Sequence, residues 1–351
     1  MVIYASNLTS TSLVTFLSIL TLLLSTVSAY TELLHPDLVR LKSTGVGARL
    51  SLDPTDKNNH LFHFNRTRVP GTEGSLYARE YIKSHFAQIS EKTGAQWHVE
   101  EDVFEERGFN FSNIVATIAP DGVRTPQYLV LSVHYDSKIV PEGFIGAIDS
   151  AVSCGILLDL AETISPSLAA AFSDEDLEID MGLKIIFFDG EEAIETWTDE
   201  YSIYGARHLH SQWKAQKKLG SIDLLVLLDL LGATDNNYIP SYFPQSQTAY
   251  AELSTLERRL AQVFPELIHS GNMFLAEPSY TFEREYFGTI GDDHLPFLHS
   301  GVPVLHMITH RFPQVWHTIN DDFLHVDIVA IRHWCVLFTA FTLEYLDVSP
   351  V

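Results

Sequence analysis

Cysteine is almost missing from this chain: Cys154 and Cys335 are the only two in 351 residues. Each lies in an apolar, helix-like stretch and the two share no CxxC spacing, which argues against a zinc–thiolate site. Two buried free thiols are the simpler reading, with a disulfide between them as the alternative. Positive charge is scarce as well. Lys and Arg number 22 against 45 Asp and Glu, giving a formal net charge of −23. A chain this acidic lacks the basic patches that hold nucleic acid or anionic membrane surfaces. It could suit basic peptides, although solubility is the plainer reason for acidity.

Charge of either sign is absent from residues 1–29, where "LVTFLSILTLLLSTVSA" supplies an apolar stretch ending in Val27-Ser28-Ala29. This reads as a signal peptide with a small-residue cleavage site. An uncleaved signal anchor is the rival, for which the apolar run is short. Secretion or residence in the secretory lumen is expected, with a Golgi-anchored form as the alternative. Stable membrane association is expected only if the segment stays attached. In that compartment Asn65-Arg66-Thr67 and Asn110-Phe111-Ser112 become glycosylation sequons.

Residues 30–351, in a chain that is 46% hydrophobic, are enough for a large core, and no convincing linker or internal repeat divides them. "HPDLVRLKS" suggests a short helix, followed by a polar linker through "DPTDKNNH" at 53–60. An amphipathic helix fits 73–92, with Leu76, Tyr77, Ile82 and Phe86 near helical spacing. Alternating strands are expected at "QWHVEEDVF" and "SNIVATIA", and apolar ones at "YLVLSV", "LKIIFF", "LLVLLD" and "VPVLHMI". Helices fit 150–164, 203–218, 247–263 and 326–346. Near-continuous apolar strands separated by helices imply a single α/β domain. Its twisted sheet is mixed but largely parallel, with helices on both faces. The acidic stretch 173–180 reads as a solvated loop.

Ligands in such sheets bind where strands end. "LVLSVHYDS" brings His134 and Asp136 to such an end, and "IGAIDSAVSCGILLDLA" puts Asp149 just before an apolar helix. "IIFFDGEE" delivers Asp189, Glu191 and Glu192, and "LLVLLDLLGA" delivers Asp229. "GDDHLPFL" offers Asp292, Asp293 and His294, and "RFPQVWHT" offers His317. Singly, each has a structural explanation. Asp149, Asp292 or Asp293 could cap a helix, Asp229 could fix a turn, and one His of 16 is more often core or surface than ligand. The adjacent Glu191 and Glu192 resist such an account, because neither capping nor helical pairing asks for two carboxylates side by side. His with carboxylates and no thiolate, at several strand ends, suits zinc.

The order HxD, Asp before a helix, GEE, Asp and a late His resembles the zinc exopeptidases. "FFDGEEA", "LLDLLGA", "GDDH", "GVPVLH" and "FPQVWHT" more closely resemble the glutaminyl-peptide cyclotransferases, from about residue 60 to the end. The resemblance implies an aminopeptidase-like fold. It also implies one zinc per chain, held by Asp149, Glu192 and His317, and a proton shuttle at Glu191. Asp229 and Asp292 would form an acidic network beside it, and Trp197, Phe312 and Trp316 would line the pocket. His134 matches a residue that binds a second metal in the related aminopeptidases; here it either does so or supports the first. The implied reaction turns the N-terminal glutamine of peptides, and more slowly glutamate, into pyroglutamate. A monomer is expected, and a zinc aminopeptidase is the alternative. Two departures stand out: Gly291 replaces a glutamine of the animal cyclases. Val133 replaces a cysteine that pairs at the Cys154 position in secreted vertebrate members, which points to a free Cys154.

Overall fold

The computed structural model describes residues 30–53, 55–174, 176–194, 196–198, 200–233, 239–267 and 290–351. The apolar leader 1–29 lies outside the described residues.

Four runs of apolar residues make the parallel half of one six-stranded sheet: β3 (Gln127–His134), β4 (Met181–Phe188), β5 (Ile222–Leu228) and β6 (Val304–Met307). Their side chains are buried on both faces, so the strands do not alternate in polarity. The hairpin β1 (His98–Glu106) and β2 (Phe109–Ile118) extends the sheet antiparallel to β4, giving the order β1-β2-β4-β3-β5-β6. β1 forms an edge and carries five acidic residues and a half-exposed pattern, which suits an unpaired flank.

The crossovers leave β3 in opposite directions. The chain steps from β3 to β4 through α4 (Val152–Phe172), then passes back over β3 to β5 through α5 (Tyr204–Ala215). Right-handed crossovers then place these helices on opposite faces of the sheet. α4 packs between α3 (Glu73–Thr93) and α8 (Ile328–Tyr345), whereas α5 packs on β2 and on the short α7 (Leu295–His299). α8 is apolar enough to resemble a membrane span, but 78% of it is buried and Trp334 on it is fully enclosed. It is a core helix. α1 (His35–Ser43), α2 (His60–Phe64) and α6 (Gln247–Leu260) complete the set among the described residues.

The α/β architecture matches the sequence expectation, and several local details differ. Helix α4 runs on through Pro166 to Phe172 instead of stopping at 164, and α5 and α6 end three residues short of their expected limits. In α3 the expected apolar face is partly wrong. Leu76 and Tyr77 are exposed, while Ser75, Ala78, Ile82, His85, Phe86 and Ile89 form the buried stripe. The stretch 53–60 is not linker to its end, because His60 starts α2 and is fully buried. Both cysteines are free and buried. The Cys154 thiol contacts the His134 carbonyl at 3.3 Å and that of Cys335 contacts Asp159 at 3.2 Å, so no disulfide joins them.

Candidate active site at the carboxyl ends of the parallel strands

The loops that leave β3, β4, β5 and β6 converge on one end of the sheet. After β3 the chain is tied down by Arg68, whose buried guanidinium donates to the carbonyls of Phe64, Tyr135, Ile145 and Gly146 at 2.6–3.2 Å. This holds both ends of the 135–146 loop and so fixes the entry to Asp149. Asp149 does not cap α4: it sits in a tight irregular turn, Ala147–Ala151, with non-helical backbone angles. The N-cap of α4 is Ala151 and has no side-chain cap bond. Gly146 makes the turn feasible, since at φ 51° a Cβ there would lie 2.0 Å from the Asp149 carbonyl oxygen.

The Glu191–Glu192 turn is built the same way, from backbone bonds. Asp189 at the end of β4 accepts from the Ser112 amide at 2.8 Å, and its own amide donates to Asn113 Oδ1 at 3.0 Å. Gly190 follows at φ 70°, where a Cβ would strike the Phe111 ring at 2.4 Å. The amides of Glu191 and Glu192 then donate to Asp136 Oδ1 and Oδ2 at 3.1 and 3.2 Å. One carboxylate from β3 thus orients two from β4.

Asp149, Glu192 and His317 bring donor atoms within 4.8 Å of one another. His317 Nε2 lies 3.4 Å from Asp149 Oδ2 and 3.7 Å from Glu192 Oε2. Its backbone takes φ 56°, an uncommon conformation for a histidine, and its ring stacks on Trp316 with centroids 3.7 Å apart. Glu192 Oε2 also meets the ammonium of Lys138 at 2.9 Å, whereas Glu192 Oε1 is buried without a hydrogen-bond partner. An orphaned carboxylate oxygen beside a second carboxylate and an imidazole is the arrangement a cation completes.

His134, Asp149 and Asp229 form a second donor group that shares Asp149. Both nitrogens of His134 are engaged, Nδ1 with Asp136 at 3.3 Å and Nε2 with Asp149 at 3.1 Å, with Asp229 3.5 Å away. Although burial works against the imidazolium, these three carboxylates raise the His134 pKa well above its ordinary value. Burial likewise opposes ionisation of Asp149, but hydrogen bonds from His134 and His317 hold it below the usual carboxylate range.

Glu191 faces the opposite pressure. It is 6% exposed, and burial pushes its carboxyl well above the ordinary range; His134 opposes this while Asp292 and Glu192 add to it. Asp292, also raised by burial and then by Asp229, accepts from His306 Nε2 at 2.7 Å and from the Asp293 amide. Asp229 accepts from Ser150 Oγ at 2.5 Å and from the Leu230 amide. Among the described residues each acid therefore has its own donor, and the two are not hydrogen-bonded to each other. Neither caps a helix.

These groups open into a pocket of about 490 Å³ whose walls include Lys138, Asp149, Glu191, Asp229 and His317. Trp197, Phe312 and Trp316 line it too, Phe312 meeting Trp316 edge-on at 4.8 Å. Gly291 faces Trp197: a Cβ there would lie 3.2 Å from the indole nitrogen. The structure thus gathers all ten residues expected from the sequence. It adds Lys138, Ser150 and His306; the last two fall in stretches that the sequence already marks, "IGAIDSAVSCG" and "GVPVLH", without a role assigned to them.

The sequence model of peptidase family M28 matches residues 113–342. The glutaminyl-peptide cyclotransferase of Drosophila melanogaster is 39% identical over 288 residues, covering 80% of this chain and 77% of the relative. That of Bos taurus is 38% identical over 296 residues, covering 80% and 78%. The crystal structure of Macrostomum lignano glutaminyl cyclase superposes with a TM-score of 0.77 at 32% identity, over 92% of this chain and 96% of that one. The chain belongs to peptidase family M28 and, within it, to the glutaminyl-peptide cyclotransferases.

Proposed function

We propose that this chain converts the N-terminal glutamine of peptides to pyroglutamate with release of ammonia, using one zinc ion in the pocket. The observation that carries the reading is Glu191: a buried carboxyl with a raised pKa, next in sequence to Glu192 and lining the same aromatic pocket as His317. Asp149, Glu192 and His317 would hold the ion, which the unpartnered Glu192 Oε1 supports. Bound there, zinc supplies Lewis-acid polarisation of the substrate's γ-amide carbonyl.

The remaining work falls to the protein. Trp197, Phe312 and Trp316 fold the glutamine side chain back toward its own α-amine and exclude water, so positioning supplies much of the rate. The amine nitrogen bonds to the side-chain amide carbonyl carbon, Cδ, and the bond from that carbon to the amide nitrogen breaks. Glu191 takes a proton from the amine and returns one to the departing ammonia, tasks that need a pKa above an ordinary glutamate's. Asp292, buttressed by His306, and Asp229, held by Ser150, border the reacting groups with fixed acids. His134 supports Asp149 from behind, with Nδ1 on Asp136 and Nε2 on Asp149.

The apolar leader and the exposed Asn65 and Asn110 sequons support export and glycosylation. The test of activity is mass spectrometry of a short peptide with N-terminal glutamine. Loss of ammonia from an intact chain, stopped by a chelator and restored by zinc, is expected. Free glutamine and a shortened peptide would make the enzyme an aminopeptidase.

A further inference from the structure

A second cluster of metal-type donors lies away from the pocket. His60 on α2, His85 on α3 and Glu162 on α4 each present a donor atom, and these lie within 4.8 Å of one another. The two imidazoles meet edge to face with centroids 4.7 Å apart. Glu162 is ten residues into α4, about 15 Å along it from Val152 by the helical rise, so the cluster is separate from the turn that carries Asp149.

Two polar atoms here are left without partners. His60 is fully buried, and its Nε2 has no hydrogen-bond partner. Glu162 Oε2 is buried without one as well. Unmet polar atoms in such a place are costly unless something satisfies them. The other atoms of the same residues are held as the supporting atoms of metal ligands usually are. His60 Nδ1 meets the Tyr81 hydroxyl at 2.8 Å, and His85 Nε2 meets the Leu158 carbonyl at 3.2 Å. A carbonyl only accepts, so His85 carries its proton on Nε2 and keeps the Nδ1 lone pair. Arg49 and Lys92 both bind Glu162 through Oε1, at 2.7 and 3.1 Å, which leaves Oε2 free. A surface cleft lined by Arg49, Lys92 and Glu162 lies beside the cluster.

We infer that His60, His85 and Glu162 form a second zinc site, structural in role, that ties α2, α3 and α4 together. Two imidazoles and one carboxylate suit zinc over calcium or magnesium. An ion there adds a link among three helices that already share the His60–Tyr81, His85–Leu158 and Lys92–Glu162 contacts, and it stabilises the fold by mass action.

The test is Zn²⁺ titration of the full chain after chelator stripping, read by equilibrium dialysis with elemental analysis. About two ions per chain are expected for wild type, and about one for His85→Gln and for Glu162→Gln, with both variants still cyclising a glutaminyl peptide. His317→Ala should be inactive yet still bind one ion and still gain thermal stability when Zn²⁺ is added. That arm keeps this site distinct from the catalytic reading. A wild-type stoichiometry of one, or a second ion that survives His85→Gln, overturns the inference. The wild-type count does not depend on any variant folding.

Discussion

Asp136 receives the backbone amides of both Glu191 and Glu192, at 3.1 and 3.2 Å, while also meeting His134 Nδ1 at 3.3 Å. One side chain thereby sets the separation of the two glutamates and the tilt of the imidazole behind Asp149. Asp136→Asn puts an NH₂ where an acceptor is needed, so one of these bonds becomes a donor–donor clash. Zinc affinity or turnover should fall about 10–100-fold, the usual cost of losing a group that orients ligands. Zinc titration with steady-state kinetics measures it; unchanged values would show that the turn holds itself.

Trp316 stacks on His317 and meets Phe312 edge-on. It is 36% exposed, so it forms the rim of the pocket and not its floor. Trp316→Ala should lower kcat/KM roughly tenfold, the scale of losing aromatic contacts on a substrate, with most of the change in KM. Zinc content should be unchanged. A wild-type kcat/KM would remove the ring from the substrate's path.

Away from the site, Lys184 lies under the sheet with its ammonium 2.9 Å from Thr117 Oγ1 and over the Tyr128 ring. Burial pushes its pKa down to about 8, against the pull of Glu100. The unfolded chain, with an ordinary lysine, therefore binds more protons than the folded one between pH 8 and 10.5. Stability from this group rises with pH across that window and is lowest below pH 8. Relative to Lys184→Met, the wild type should gain up to about 3 kcal/mol from pH 8 to 10.5. Urea denaturation of both proteins at several pH values measures this, and parallel curves would show a lysine with an ordinary pKa.

The sequence was most legible where one residue type at one strand end has few other uses. Glu191 and Glu192 stand out because no capping or pairing rule explains them, and the structure places both in one turn after β4, held by Asp136. The apolar strands announced the parallel sheet for a similar reason. What stayed hidden works through the backbone or over long separations. Arg68 holds the carbonyl of Tyr135, 67 residues away, and no pattern in "NRTRVPG" points to that. The Asp136 acceptor role depends on amides 55 and 56 residues on. Leu76 and Tyr77 misled because a helix's apolar residues need not all face the core, and α3 buries His85 instead. His60 looked like the end of a polar linker for want of any local sign that it turns inward.

Glu191 and Glu192 are adjacent, both buried, and both pushed toward the protonated form by burial. Their surroundings nevertheless assign them different work. Glu192 faces Lys138 and His317 and has an oxygen with no partner, which fits the cation-holding role proposed for it. Glu191 lines the pocket with no hydrogen bond or ion pair to its carboxylate among the described residues, so its proton is free to move. Glu191→Gln keeps size and polarity but carries no transferable proton. It should leave zinc binding intact and lower kcat about 10²–10⁴-fold, the range for losing a general acid–base, while KM changes little. Glu192→Ala should instead release the metal, with activity falling in proportion to zinc content. Metal analysis beside single-turnover kinetics separates the two. An active Glu191→Gln would move the proton shuttle elsewhere in the pocket, with Asp292 the next acid to test.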